Sequence, residues 1–269
     1  FKAFNLVNDF AVHFGVDVVN SEIVGLVPME ALTDSAEFYL KLHGFDKNQI
    51  LEKRLFETEP HRLVDSDLAS FADAVASDKP VPGGGSVSAY AACLASSLIS
   101  MVSRLTLTKT EFEKAWPDLR DILAKSEILR SRLLNLVDED SRSYMQLIEA
   151  YRLPKTSEEE RQSRAAEIQA RLKNAAEVPM KTAQTITEVL DLAVKLASSS
   201  NMNAISDLQT ATFLAHSTTL GALSNVSINL SGIKDEGFRL RMQEEVDRVK
   251  RDIEGSKAKT LAIIASRQR

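Results

Sequence analysis

Long segments without helix-breaking residues are the feature that most restricts what this chain can fold into. Only 10 glycines and 7 prolines interrupt its 269 residues, too few for a β fold with many turns. Apolar residues recur at helical spacing in long segments, which run from Glu111 to Leu153, Ser157 to Ser199, Asn203 to Leu230 and Asp235 to Ile264. Pro179, inside the second segment, should kink it. Helices of about 30–40 residues far exceed the usual mean of ~11–12. The sequence therefore predicts a mostly α fold, a bundle of long helices.

The first part of the chain, residues 1–60, has a different pattern. Apolar residues at helical spacing predict one helix over Phe4–Phe14 and another over Met29–His43. Between them, Val16–Val19 and Ser21–Pro28 are rich in β-branched residues and predict two short strands. So little sheet is not stable alone. We therefore expect a small α+β segment at residues 1–60, which needs a partner, and an all-α domain at residues 61–269.

The composition argues against several classes of partner and site. The net charge of −5 provides no basic surface for nucleic acid. No apolar run approaches the roughly 20 residues that span a bilayer, and the chain does not begin with a signal-peptide pattern. The single cysteine, Cys93, suits a reducing compartment and predicts a buried, inert thiol in a cytoplasmic protein. No metal site is expected, because metal-ligand spacing is absent among His13, His43, His61 and His216.

A run of three glycines, Gly83, Gly84 and Gly85, precedes Ser86 at the expected start of a helix that extends to about Thr106. Glycines leave backbone amides open to a ligand, and a helix N-terminus favours an anion. No Gly-Lys-Ser/Thr follows and no strand precedes the loop, so the phosphate-binding and dinucleotide-binding motifs do not apply. Two explanations remain open: a nest for a carboxylate, a phosphate or a pterin carbonyl, or a tight corner between closely packed helices.

An acidic residue, Asp140, interrupts the apolar stripe of the Glu111–Leu153 segment. It occupies the position between Val137 and Tyr144 where an apolar side chain completes the helical spacing. A buried carboxylate is costly unless it is paired or serves a site, and desolvation raises its pKa toward the range of a general acid or base. Asp140 is therefore a candidate catalytic residue, or else it caps a helix break or pairs with an arginine. Asp138, at the edge of the stripe, is by itself typical of a solvated charge.

Two further polar groups are candidates for binding. Asn225 and Asn229 lie one helical turn apart among small residues, where their amides could bind a heterocycle edge. The residues alone favour the other explanation, a hydrogen-bonded seam that sets helix register. Lys155 and Arg161 follow Pro154 and could bind an acidic tail, although such charges more often belong to a solvated helix start.

Six motifs resemble those of the formimidoyltetrahydrofolate cyclodeaminases and the related methenyltetrahydrofolate cyclohydrolases. In chain order they are PGGGSV, LVDEDSRSY, RLPKTSEEER, EIQARLKNAAEVPMKTA, SNMNAISDLQTAT and NVSINL, and the resemblance covers about Leu63 to Arg269. The earlier stretch VNSEIVGLVPMEAL looks like the C-terminal end of a glutamate formimidoyltransferase domain. The chain thus resembles the rear part of the bifunctional formimidoyltransferase-cyclodeaminases. Ser88 and Ser200 depart from the family, which usually has alanine and glycine there.

The resemblance implies ring closure of 5-formimidoyltetrahydrofolate to 5,10-methenyltetrahydrofolate with release of ammonia. That reaction would make the chain an ammonia lyase of one-carbon metabolism and histidine catabolism, with no cofactor expected beyond its tetrahydrofolate substrate. The resemblance also implies a cytoplasmic homodimer or higher oligomer with its site near the dimer interface, and a formimidoyltransferase domain or chain as a further partner. Transferase activity from this chain alone is not expected.

The resemblance also carries site residues. The family's catalytic aspartate lies in the Asp-x-Asp pair, so both Asp138 and Asp140 are candidates. The implied substrate-binding residues are Gly83, Gly84, Gly85, Ser86, Lys155, Arg161, Asn201, Asp207, Asn225 and Asn229. Two alternatives accompany this prediction. One is a methenyltetrahydrofolate cyclohydrolase of the same fold, and the other is a helical folate-binding or interaction module without catalysis.

Overall fold

This computed structural model describes residues 2–20, 27, 29–42, 45 and 62–268, and the chain divides into two compact units, Phe1–His61 and Arg62–Arg269. In the first unit, α1 (Lys2–His13) and α2 (Met29–Leu40) are the described helices, close to their predicted bounds. The Tyr39 hydroxyl donates to Asn5 Oδ1 at 2.8 Å and links the two helices.

The expected strands of the first unit are not observed in the described residues. Val16–Val19 has no regular secondary structure, and Ser21–Pro28 lies outside the described residues apart from Val27. An extended segment becomes a strand only when a neighbouring strand satisfies its backbone hydrogen bonds. Val16–Val19 therefore differs from its prediction, because the described residues include no partner for it.

The second unit is a bundle of long helices, as predicted. After the 3-10 turn Leu63–Asp65, its helices are α3 (Leu68–Ala76), α4 (Gly84–Leu107), α5 (Trp116–Arg152), α6 (Glu158–Ala197), α7 (Ile205–Leu230) and α8 (Glu236–Arg267). Helices α4 to α7 pack in cyclic order as an up-down-up-down bundle, and α8 lies against α6 and α7. The second unit therefore adopts the antiparallel four-helix arrangement, to which the long helix α8 and the short helix α3 are added.

Local capping explains where several helices begin. Ser157 Oγ accepts from the Glu160 amide at 3.1 Å, and the Glu160 carboxylate accepts from the Ser157 amide, which completes a capping box before α6. Asp235 caps α8 in the same way by accepting from the Phe238 amide at 2.9 Å. Helix α4 begins at Gly84 rather than at Ser86, so two of the three glycines lie inside its first turn.

The core runs along the centre of the bundle. The largest fully buried side chains are aliphatic, and they come from every long helix: Ile99, Leu119, Leu133, Ile186, Leu190, Leu208, Leu223 and Ile253. Helix α4 has the length and apolar composition to cross a membrane, contrary to the expectation from the sequence, but 61% of that window is buried in the bundle. Cys93 is buried on the same helix, and burial raises the pKa of its thiol.

Candidate active site

The N-terminus of α4 meets the middle of α5 at a cluster of polar side chains. Ser86, which is fully buried, lies against one turn of α5. Its hydroxyl oxygen is 2.9 Å from Asp140 Oδ2, 3.0 Å from the Val137 carbonyl oxygen and 3.0 Å from Ser141 Oγ. The helices are antiparallel, since Ser96, further along α4, bonds the earlier Ser126 carbonyl of α5.

The third glycine of the loop is required by the position of Asp140. A Cβ atom on Gly85 would lie 2.1 Å from Asp140 Oδ1 and 2.5 Å from its Cγ, which no real contact allows. The carboxylate therefore occupies the space that any other side chain at position 85 would fill. By contrast, a Cβ on Gly83 or Gly84 would meet its nearest neighbour at 3.4 Å. A close contact therefore explains the glycine at position 85, and the group in contact is the Asp140 carboxylate.

The electrostatic environment of Asp140 is unusual for a carboxylate. Burial raises its pKa above the ordinary aspartate value, while the hydrogen bonds from the Ser86 hydroxyl and amide oppose that rise. The residue lies inside α5 and so marks no break in its own helix, and the amide that it accepts from belongs to the first turn of α4. Within residues 62–268, the ion pairs of α5 use other acidic residues, including Asp138, Glu139 and Glu127. A partly buried carboxylate with a raised pKa is a candidate general acid or base.

The neighbouring Asp138 has a different environment. Its Oδ1 accepts from the Leu63 amide at 2.7 Å, and its Oδ2 accepts from Arg62 Nε at 3.2 Å. The side chain is only 10% exposed, because the 3-10 turn Leu63–Asp65 packs over it. Asp138 is therefore not the solvated surface charge that its position in the stripe indicates. It ties the turn to α5, whereas Asp140 faces the start of α4.

Helix α7 contributes the third side of the cluster. Asn225 donates from Nδ2 to the Gly221 carbonyl at 2.9 Å, and the same nitrogen lies 3.4 Å from the position of a Cβ on Gly84. One turn earlier, a Cβ on Gly221 would lie 2.7 Å from Ser88 Oγ. The two helices therefore pack closely at this end, and the Asn225 amide stands beside the α4 N-terminus.

A second asparagine of α7, Asn229, repairs the backbone of α6. Its Nδ2 donates to the Ala175 carbonyl at 2.7 Å. In a regular helix that carbonyl would accept from the amide of residue 179, but Pro179 has no N–H. The side chain supplies the missing donor, and α6 continues from Glu158 to Ala197 without ending at the proline. Asn229 thus forms a hydrogen bond between helices, which is the explanation that the residues alone favoured.

Other predicted binding residues lie far from Asp140. Helices α4 and α7 are antiparallel, so the start of α7 is at the opposite end of the bundle from the glycine loop. The Asn201 amide donates to Thr106 Oγ1 at 3.0 Å, and Thr106 is about 30 Å along α4 from Ser86. Asn201 Oδ1 caps the 3-10 turn Met202–Ala204, and Asp207 lies in the first turn of α7. The structure does not bring these two residues to the glycine loop.

The basic pair after α5 lies beyond the end of that helix. Arg161 pairs with Glu158 at 2.7 Å and donates to the Thr156 carbonyl at 2.9 Å, so it stabilises the start of α6. Lys155 is exposed in the connection between α5 and α6. Helix α5 ends about 18 Å past Asp140, which places Lys155 well away from the carboxylate.

One member of the cluster, Ser141, was not singled out from the sequence. Its Oγ lies 3.0 Å from Ser86 Oγ. The only sequence signal is a small hydroxyl residue directly after the inward-facing aspartate, which is too common to identify a site. Among the described parts of the chain, no group of three or more histidine, cysteine or acidic side chains is arranged to hold a metal ion.

Comparisons with known proteins place this chain in a family. Residues 67–248 match the sequence profile described as Formiminotransferase-cyclodeaminase, and residues 1–73 match that of the Formiminotransferase domain. A crystal structure of formiminotetrahydrofolate cyclodeaminase from Thermotoga maritima shares the fold with a TM-score of 0.69 and 32% sequence identity. That comparison covers 76% of this chain and 98% of the other.

Two curated relatives show how the match is distributed. A methenyltetrahydrofolate cyclohydrolase from Methylorubrum extorquens is 36% identical over 180 residues, covering 67% of this chain and 86% of the relative. The formimidoyltransferase-cyclodeaminase of Mus musculus is 31% identical over 284 residues, covering 96% of this chain and 52% of the relative. The chain thus spans about half the length of its bifunctional relative. It belongs to the formiminotransferase-cyclodeaminase family, as the six sequence motifs predicted.

Proposed function

We propose that this chain is an ammonia lyase that closes 5-formimidoyltetrahydrofolate to 5,10-methenyltetrahydrofolate. The observation that carries the proposal is the Asp140 carboxylate. It is partly buried and lies between the N-terminus of α4 and a buried serine hydroxyl. The family to which the chain belongs supports the choice of a tetrahydrofolate substrate.

The reaction needs one group that first accepts and then donates a proton. N10 of the substrate attacks the formimidoyl carbon, and the N10 proton passes to the Asp140 carboxylate. The resulting carboxylic acid then protonates the formimidoyl nitrogen, which leaves as ammonia. One further proton comes from solvent, because a neutral substrate yields ammonia and a cationic product. The regenerated carboxylate then stabilises the positively charged methenyl ring.

The rest of the cluster would orient the substrate. Gly83 and Gly84 begin α4, and the Asn225 side chain lies beside Gly84. The backbone amides of a helix start and this side-chain amide would hold a pterin ring by hydrogen bonds. A glutamate tail that extends along α5 leads toward Lys155. Asn201 and Asp207 take no part in this proposal, because they lie at the other end of the bundle.

The test is a paired assay that follows methenyltetrahydrofolate absorbance and ammonia release from 5-formimidoyltetrahydrofolate. Both signals should rise in step with the wild-type chain. Asp140→Asn, with its fold checked by circular dichroism, should lower kcat by about 10²–10⁴-fold. Asp138→Asn should mainly lower stability, since it weakens the anchor of the Leu63–Asp65 turn. The proposal fails if Asp140→Asn keeps near-wild-type turnover.

A second candidate function is hydrolysis of methenyltetrahydrofolate. It is supported by the cyclohydrolase from Methylorubrum extorquens, which the chain matches over most of that protein's length. The same carboxylate would accept a proton from an attacking water molecule. Faster loss of added methenyltetrahydrofolate, with no ammonia released from the formimidoyl substrate, would identify this activity. Tight folate binding with neither reaction would support a binding module.

We also propose a homodimer formed through one apolar face. Large apolar side chains that are 36–72% exposed follow two adjacent helices, and they are Val87, Leu94 and Met101 on α4 and Phe213, Leu220 and Ile228 on α7. Gly84 and Asn225 lie at the end of the same helices, so the site would border the interface. Light scattering should give a dimer that Leu94→Glu dissociates; a monomeric wild type would refute the proposal.

The physiological setting follows from the proposed reaction. The match of residues 1–73 to the Formiminotransferase domain supports a formimidoyltransferase domain or chain as the partner that supplies the substrate. Such a pair would act in histidine catabolism in the cytoplasm, with no cofactor beyond tetrahydrofolate. Co-purification of the chain with a formimidoyltransferase would test the partnership, and fractionation would test the location.

A further inference from the structure

The hydroxyl of Ser86 has more neighbours than it has hydrogens. A serine hydroxyl has one hydrogen to donate and two lone pairs that accept. Its three neighbours are Asp140 Oδ2 at 2.9 Å, the Val137 carbonyl oxygen at 3.0 Å and Ser141 Oγ at 3.0 Å. Ser86 is fully buried, so water does not substitute for any of these partners. The direction of each hydrogen bond must therefore depend on the protonation state of Asp140.

The two protonation states require opposite arrangements. When Asp140 is ionised, Ser86 donates to its carboxylate, because a charged acceptor outcompetes a neutral carbonyl. Ser141 can then donate to the Ser86 oxygen. When Asp140 is protonated, its O–H donates to Ser86 Oγ, and the Ser86 hydrogen turns to the Val137 carbonyl. In both states the carboxyl group keeps its hydrogen bond to Ser86 and its position.

The surrounding backbone limits other positions of the carboxyl group. Gly85 leaves space for it on one side, and the α5 turn that carries Val137 and Ser141 lies on the other. A general base that becomes a general acid within one turnover needs the same orientation toward the substrate in both steps. A partner that both donates and accepts meets that need.

We propose that Ser86, supported by Ser141, is a two-way positioning residue that holds the Asp140 carboxyl group in one place through both proton transfers. This inference rests on the proposed function, because it assigns the switch to the cyclisation and to the departure of ammonia. Ser86 touches the catalytic carboxyl group rather than the reacting atoms.

The chain provides a matched control for Ser86. Ser96 is also fully buried on α4, and its hydroxyl donates across to α5, to the Ser126 carbonyl at 2.8 Å. It differs from Ser86 in having no carboxylate partner. Ser86→Ala and Ser96→Ala therefore remove comparable buried hydroxyls between the same two helices, and only the first affects Asp140.

The test compares pH profiles of kcat. Ser86→Ala should lower kcat at least tenfold with little change in KM. It should also move the acidic limb of the profile to higher pH by on the order of one unit, since the ionised carboxylate loses a donor. Ser141→Ala should shift the limb in the same direction by less, and Ser96→Ala should leave it in place. A Ser86→Ala profile that superimposes on the wild type would overturn the inference.

A second measurement separates this inference from the proposed function. The titration of the Asp140 carboxyl carbon can be followed by NMR in the chain labelled with ¹³C-aspartate, using Asp140→Asn to assign the signal. If the wild type releases no ammonia but Ser86→Ala still moves this titration upward, the coupling stands and the proposed reaction fails. If the wild type is active and neither variant moves the titration, the inference fails. Ser141→Ala serves as the readout should Ser86→Ala not fold.

Discussion

Replacing Gly85 with alanine tests the geometry of the site most directly. Gly85 lies inside α4, so an alanine there causes no backbone strain. Its Cβ would nevertheless lie 2.1 Å from Asp140 Oδ1 and 2.6 Å from Oδ2. Ordinary carbon–oxygen contacts are more than 1 Å longer, so the carboxylate must rotate away. The rotation moves it away from the Ser86 hydroxyl and from the α4 N-terminus.

The expected cost falls on activity rather than on stability. Alanine in place of a helical glycine stabilises by about 0.4–1 kcal/mol, and losing a hydrogen bond to a charged group costs about 1.5–3 kcal/mol. The net loss is therefore on the order of 1 kcal/mol, against a total stability of ~5–15 kcal/mol. A misplacement of about 1 Å in a catalytic group costs roughly 10²-fold in rate, and complete loss of general acid–base catalysis costs up to ~10⁴-fold. We therefore expect Gly85→Ala to lower kcat by about 10²- to 10⁴-fold.

The assay follows ammonia release at saturating substrate, together with urea unfolding. Gly255→Ala in α8 is the control, because a Cβ there meets no atom within 4 Å. This control should gain about 0.5–1 kcal/mol of stability with unchanged kcat. If Gly85→Ala folds and turns over within threefold of the wild type, the position of the Asp140 carboxylate does not control the reaction.

Three further predictions concern stability. Burial raises the pKa of Asp140 in the fold, so wild-type stability falls as pH rises from the ordinary aspartate value of about 3.9 through that raised value. Asp140→Asn should therefore have a higher Tm than the wild type at pH 7.5 and no higher Tm near pH 4. A lower Tm than the wild type at both pH values would contradict a raised pKa for Asp140. Asn229→Ala should lower the free energy of unfolding in urea by about 1–3 kcal/mol. The loss should be much smaller in a Pro179→Ala background, because the new amide of residue 179 donates to the Ala175 carbonyl. Equal losses in both backgrounds would show that Asn229 does not replace the missing donor. Gly221→Ala should lower Tm, because its Cβ would crowd Ser88 Oγ. Adding Ser88→Ala to this variant should restore part of the lost Tm. If the effects of the two substitutions on Tm simply add, the two residues do not crowd each other.

Residue patterns along the chain were sufficient to identify the long helices. Helical spacing of apolar residues predicted α5 to α8 to within a few residues, with a 3-10 turn at Thr110–Ala115 as the main difference before α5. The same spacing placed Asp140 on the inward face, because a helix repeats its faces regardless of its partners. The glycine run left two explanations open, a ligand nest and a tight corner between helices, and it did not identify the Asp140 carboxylate as the group beside Gly85.

Contacts between distant segments could not be predicted in the same way. Asp138 looks like a surface charge until the turn at Leu63 packs over it from 75 positions earlier in the chain. The residues around Asn229 favoured a hydrogen-bonded seam, but only the structure shows that its partner is the Ala175 carbonyl. Local periodicity contains no information about which segment of the chain covers a given face.

The sequence by itself determined the helices, the inward aspartate and the family, since each depends on residue order over one or two turns or on short motifs. Only the tertiary structure decided which predicted residues share a site. Antiparallel packing of α4 against α7 brings Asn225 to Gly84 and holds Asn201 at the far end, beside Thr106. Helix direction in a bundle follows from how connections and apolar faces fit together in three dimensions, and that choice assembles Gly85, Ser86, Asp140 and Ser141 into one cluster.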